Sequence, residues 1–243
     1  MKKILYFMMV LASLHAEVIT VDYKVEFGLF GEIGVAHATL DRDEKRYEID
    51  IKLDSTGLAK TLSGDRKERH ISKGHIEDGK MVSDLYQIMK SHGVYSSNRV
   101  YRIDHEHHKV TQQTQKWKKG KLYKDKTVEM DDIYAKDDLL TLYFNLDSYI
   151  TDKNVSRDYR LHAVGAEKQK GYVDIHIPNK EELPEYQELL GKDQGWYAKA
   201  IIYQDIFSSD KGELLLGIGE DGITDKAVLK DLIFFGDIRA KKI

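Results

Sequence analysis

The chain of 243 residues contains no cysteine. That excludes a disulfide scaffold, a cysteine nucleophile and a lipidated cysteine as an anchor. Beyond the first sixteen residues no stretch approaches the roughly 18 apolar residues of a membrane-spanning helix. No linker rich in proline, glycine or serine divides the chain, which has only two prolines, and no repeat recurs with a period of about 20 to 50 residues. A basic excess is missing too: 38 lysines and arginines face 41 acids, for a net charge of −3. A nucleic-acid partner, whose phosphates call for a basic face, is therefore not expected. Neither a GxSxG elbow nor an HExxH helix occurs, so hydrolytic chemistry has no recognisable anchor.

What is present begins with a stretch from which export is expected. Lys2 and Lys3 precede an apolar run from Ile4 to Leu14 and the small residue Ala16, the three-part layout of a secretory leader cleaved after Ala16. The mature chain, residues 17–243, is expected to be a single β-rich periplasmic domain. Two of the 38 basic residues leave with the leader, so 36 face 41 acids and the net charge moves from −3 to −5. A chain of this length buries on the order of 70% of its unfolded surface, enough to fold without a metal or a disulfide.

Alternation with period two dominates the mature chain. Ile19, Val21, Tyr23, Val25 and Phe27 fall on one side of an extended segment, with Thr20, Asp22, Lys24 and Glu26 on the other. Tyr47, Ile49, Ile51 and Leu53 repeat the pattern, and it recurs in Val173, Ile175 and Ile177 and in the run 199–207. Polar turns separate such runs at 41–45, 77–80, 118–121, 208–212 and 220–222, as antiparallel hairpins require. Three segments depart from this. Leu139, Leu142, Tyr143, Leu146 and Ile150 form a helical stripe behind a capping aspartate, which predicts a principal helix over 137–150. A shorter helix is expected over 181–190, with Pro184 in its first turn and Gly191 at its end, and a single turn near Leu58 to Leu62. The fold class expected is mainly β: a curved antiparallel sheet or open half-barrel around one principal helix.

The densest cluster of titratable side chains is Arg102-Ile-Asp-His-Glu-His-His-Lys109. On a strand, His105 and His107 share a face and could chelate one transition metal, helped by Asp104 or Glu106. A third committed ligand is missing, because His37, His70, His75, His92, His162 and His176 are scattered, and a solvated turn between two strands is the favoured reading. Gly217-Ile-Gly-Glu-Asp-Gly222 matches GxGxxG, but its acids would repel a pyrophosphate and too little chain follows for the remaining strand and acid. A strand end and hairpin turn explains it better. Lys116 to Lys126 carries six lysines around Trp117 and Tyr123. Such a hairpin suits an anionic headgroup or a sugar ring, with Trp117 and Tyr123 as contact residues, and suits equally an edge whose lysines discourage pairing.

The order of features resembles an exported bacterial family, domain of unknown function 3108. The resemblance is carried by Val21-Asp-Tyr-Lys-Val-Glu-Phe-Gly28 with Gly31 and Gly34, by Tyr47 to Leu58 and by Arg99-Val-Tyr-Arg-Ile-Asp104. It continues in Asp138-Leu-Leu-Thr-Leu-Tyr-Phe144 and Leu232 to Ala240. It implies a periplasmic, mostly antiparallel β protein without a known mechanism and supplies no catalytic or binding residues. Thr224-Asp-Lys-Ala227 departs from it, standing where the family has a proline. The function expected is a non-enzymatic envelope factor, without a cofactor, that binds a lipid-like, glycan or protein component of the cell envelope. The alternative is a metal-binding protein centred on His105 and His107, and an envelope hydrolase using carboxylates ranks third.

Overall fold

The computed structural model describes residues 16–130, 133–166, 170–203, 211–230 and 237–243. The expected leader, except Ala16, lies outside the described residues, as do 204–210 of one expected strand and turn and 232–236 of the closing segment.

Fourteen strands form one antiparallel sheet among the described residues. They are β1 (Glu17–Phe27), β2 (Glu32–Arg42), β3 (Arg46–Ser55), β4 (Lys67–Glu77), β5 (Lys80–His92), β6 (Tyr95–Asp104), β7 (Lys109–Lys118) and β8 (Lys121–Met130), then β9 (Arg157–His162), β10 (Tyr172–Ile177), β11 (Trp196–Tyr203), β12 (Lys211–Ile218), β13 (Thr224–Leu229) and β14 (Ile238–Lys242). Their order is β8 to β1 and then β14 to β9, so β1 pairs with β14 and joins two meanders. The sheet does not close: β8 and β9 are its two edges. Three helices accompany it among the described residues, α1 (Gly57–Leu62), α2 (Leu139–Tyr149) and α3 (Leu183–Leu190).

Alternation selects the concave face. Val21, Leu40, Tyr47, Ile49, Tyr86, Tyr101, Ile103 and Val110 are all buried, and the inward set fades toward Leu53, 37% exposed near the end of β3. In β11 and β12 both faces are covered, which is why Leu214-Leu-Leu216 reads as a continuous apolar run. Ala198, Ala200 and Leu216 pack beneath α2, whereas Tyr197 and Leu215 pack with Tyr186 and Leu190 of α3 on the opposite face.

The principal helix sits inside the curve and touches both meanders. Leu142, Leu146 and Ile150 join the core of β10 to β12, and Leu140 and Phe144 join that of β2 to β7. Burial therefore extends beyond the single stripe, to Thr141 and Asn145 as well. Asp138 starts it: its Oδ1 accepts from the backbone N–H of Leu140 and Thr141, and Thr141 Oγ1 in turn accepts from the Asp138 N–H. Asp138 Oδ2 accepts from Ser72 Oγ at 2.5 Å and Ser83 Oγ at 2.6 Å, tying the cap to β4 and β5. The register between those strands shifts at Gly74, where a Cβ would meet the Val82 carbonyl oxygen at 1.9 Å. Only glycine fits that bulge.

Candidate functional site

Between α2 and the sheet lies a cavity of about 560 Å³. This is within the range of about 300–1,000 Å³ for small-molecule sites. One wall is apolar: Leu142 and Leu146 of α2 face Val173, Ile175, Ala200 and Leu216 of β10 to β12. These residues are all buried. The opposite wall comes from β4 to β7 and is more polar, with His70, Lys90, Asn98, Arg99, Thr114 and Lys116 beside Tyr86 and Ile88. The lining thus passes from buried hydrocarbon at one end to partly exposed cationic side chains at the other.

The position of the cations follows from strand parity. On β7, Val110 is completely buried and Gln112, Thr114 and Lys116 follow it on the same face. Lys116 lies directly opposite Lys124 of β8, and Thr114 lies opposite Arg99 of β6 and Lys126 of β8. A recess of about 180 Å³ shares Arg99, Thr114 and Lys116 with the cavity and adds Lys124 and Lys126. Three of the hairpin's six lysines thus line the concave side. Trp117 pairs with Leu122 across a bulge that leaves Tyr123 as the extra residue, 59% exposed. Neither aromatic residue lines the cavity or the recess. Alternation marks the lysines as face-sharing, whereas Trp117 and Tyr123, singled out from the sequence as surface contacts, lie outside both spaces.

At the polar wall Glu68 accepts from Lys90, Arg66 and His70. Burial opposes its ionisation, yet the hydrogen bonds from His70, Lys90 and Arg66 outweigh that cost and hold its carboxyl well below the usual carboxylate range. Deeper in the core, Asp137 accepts from Asn145 Nδ2 at 2.8 Å and from the Tyr149 hydroxyl at 2.6 Å, and burial raises its carboxyl. Burial also pushes Asp138 up to about 6, against its hydrogen bonds from Ser72, Ser83, Thr141 and Leu140. Both carboxylates are occupied in holding α2 and are not among the residues that line the cavity.

The histidine cluster forms a four-residue turn, 105–108, between β6 and β7, with His108 at φ +53°. Chelation by His105 and His107 is not what this turn builds. The shared-face rule applies to extended backbone, and a tight turn sends the two rings apart. His107 Nδ1 bonds Asp104 Oδ2 at 2.8 Å, and the His107 N–H donates to Asp104 Oδ1. His105 turns toward the sheet, with Nδ1 3.0 Å from the Tyr134 hydroxyl and Nε2 2.9 Å from the Ser83 carbonyl. There it meets residues that are distant in sequence: Asp84 Oδ1 is 3.3 Å from His105 Nε2 and 3.0 Å from His75 Nδ1. The ligand atoms of His75, Asp84 and His105 all lie within 4.8 Å of one another. The glycine motif at 217–222 is, as expected, the end of β12 and its turn into β13.

No family model matches the chain, and no curated protein matches it. Among solved structures, the chain is similar to a β-barrel-like protein of domain of unknown function 1849 from Brucella abortus. The TM-score is 0.52 at 12% identity, over 95% of this chain and 96% of that one. The likeness is one of fold: a barrel-like β architecture found in an uncharacterised family.

Proposed function

We propose that the protein is a non-enzymatic binding protein of the cell envelope, exported to the periplasm, that holds a lipid-like ligand in the cavity between α2 and β10 to β12. The observation that carries this reading is the cavity itself, about 560 Å³, with a continuous hydrocarbon wall from Leu142 to Leu216. Of the envelope components expected from the sequence, an acyl chain suits that wall better than a glycan, which needs polar partners along its length. The secretory layout of residues 1–16 supports export, and the resemblance to domain of unknown function 3108 is in keeping with it. The test is native mass spectrometry of protein isolated from a periplasmic extract, beside the variant Ala200→Phe, which places a ring in the cavity. A retained amphiphile in the wild type that is lost from a folded variant is the expected result. An empty wild type that also fails to take up dodecyl amphiphiles overturns the reading.

A second reading rests on His75, Asp84 and His105, whose spacing of 3.0 and 3.3 Å about one carboxylate oxygen suits adjacent ligands of one divalent cation. Zinc titration by calorimetry tests it. Stoichiometric uptake that disappears in His75→Ala/His105→Ala and persists in His107→Ala is expected, and uptake indifferent to the double variant rejects this site.

A further inference from the structure

We infer that the cavity selects an amphiphile with an anionic, phosphate-type head, held by Lys116, Lys124, Lys126 and Arg99 on the inner face of β6 to β8. The inference rests on the lipid-like reading above and adds the chemistry of the other end of the ligand. The apolar wall alone would accept any hydrocarbon chain. The polar wall is not neutral: Lys90, Arg99 and Lys116 line it, and Glu68 behind it is already paired to Lys90.

Three observations converge. Lys116 and Lys124 are cross-strand partners, an arrangement of like charges that destabilises a sheet unless something lies between them. Lys126 is next along β8 on the same side, and Arg99, which bonds the Tyr101 hydroxyl at 3.4 Å, lines both the cavity and the recess. The acids nearby are engaged elsewhere. Glu68 is taken by Lys90, Arg66 and His70, Asp125 accepts from Gln113 and Gln115, and Glu129 pairs with Lys109. Among the described residues none is ion-paired to Lys116, Lys124 or Lys126.

The number of cations decides the head. A single carboxylate would leave most of this positive charge uncompensated, whereas a phosphate monoester brings up to two negative charges and several acceptor oxygens. Arginine grips such oxygens in a fork and lysine as a point charge. With the chain against Leu142 and Leu216, the head reaches the lysines through the polar wall, since Lys116 and Arg99 line the cavity and the recess alike. One amphiphile satisfies both ends.

The experiment compares the binding of dodecyl phosphate, neutral dodecyl glucoside and inorganic phosphate to the full chain by calorimetry at low and high salt. Dodecyl phosphate is expected to bind about tenfold or more tightly than dodecyl glucoside, the scale of one charge-assisted hydrogen bond. That preference should shrink as salt is added. In Lys116→Gln/Lys124→Gln/Lys126→Gln the phosphate should lose far more affinity than the glucoside, so that the preference between them vanishes. The same variant should melt no lower than wild type, because the substitutions relieve repulsion on the sheet.

Equal binding of the two amphiphiles by the wild type overturns the head-group inference and leaves the lipid-like reading standing. Failure of both to bind overturns both. Inorganic phosphate binding as tightly as dodecyl phosphate identifies an anion site independent of the chain and overturns the coupling proposed here.

Discussion

At the scale of single residues, Asp138 connects burial to pH. Its folded value of about 6 lies above the ordinary aspartate value of 3.8, so between the two the folded chain holds a proton that the unfolded chain has released. Its contribution to stability is complete below 3.8 and is lost as the pH rises through the folded value, by about 3 kcal/mol in total. Carboxylates such as Glu68 and Asp50, held low by their cationic partners, act in the opposite sense at lower pH. The difference between wild type and Asp138→Asn isolates the single group. The stability of wild type relative to the variant should fall as the pH is raised from about 4 to about 6.5 in urea titrations, and parallel curves would refute it. Gly74 offers a steric test. Gly74→Ala drives a methyl group into the Val82 carbonyl, and denaturant midpoints should report a loss of about 1–3 kcal/mol.

Among the elements, α2 is fastened rather than merely packed. Asn145 replaces a strand partner for Met81: its Oδ1 accepts from the Met81 N–H at 3.2 Å and its Nδ2 donates to the Met81 carbonyl at 2.8 Å and to Asp137. Asn145→Ala leaves those buried groups without partners and should cost about 3 kcal/mol. Thermal melts would check it, and a loss within experimental error would show that water takes over the role. The helix itself was legible in the sequence, because an aspartate cap and a 3.6-residue apolar period are local signals. Its burial on more than one face was not, since Thr141 and Asn145 look like solvent-facing residues until the curved sheet closes around them. The metal candidate divides in the same way. His105 stood out by its neighbours in sequence, but His75 and Asp84 come from β4 and β5 and are brought to it only by strand pairing.

For the whole molecule, an open sheet folded over an internal helix leaves a space that the side chains of the described residues do not fill. Ligand binding should therefore couple to global stability. Dodecyl phosphate at a hundredfold excess over its dissociation constant should stabilise the fold by about 2.7 kcal/mol, or about 5–10 °C in melting temperature for a chain of this size. Ala200→Phe should show no such rise, and an equal rise in both proteins would place the ligand elsewhere. By itself the sequence determined the strand class, the hairpin turns and the principal helix, because period, capping and turn chemistry act over neighbouring residues. Tertiary structure alone decided which lysines turn inward, that Trp117 and Tyr123 stay outside the cavity, and which histidines meet. Those outcomes depend on register and on curvature accumulated over fourteen strands, which bring together side chains far apart along the chain.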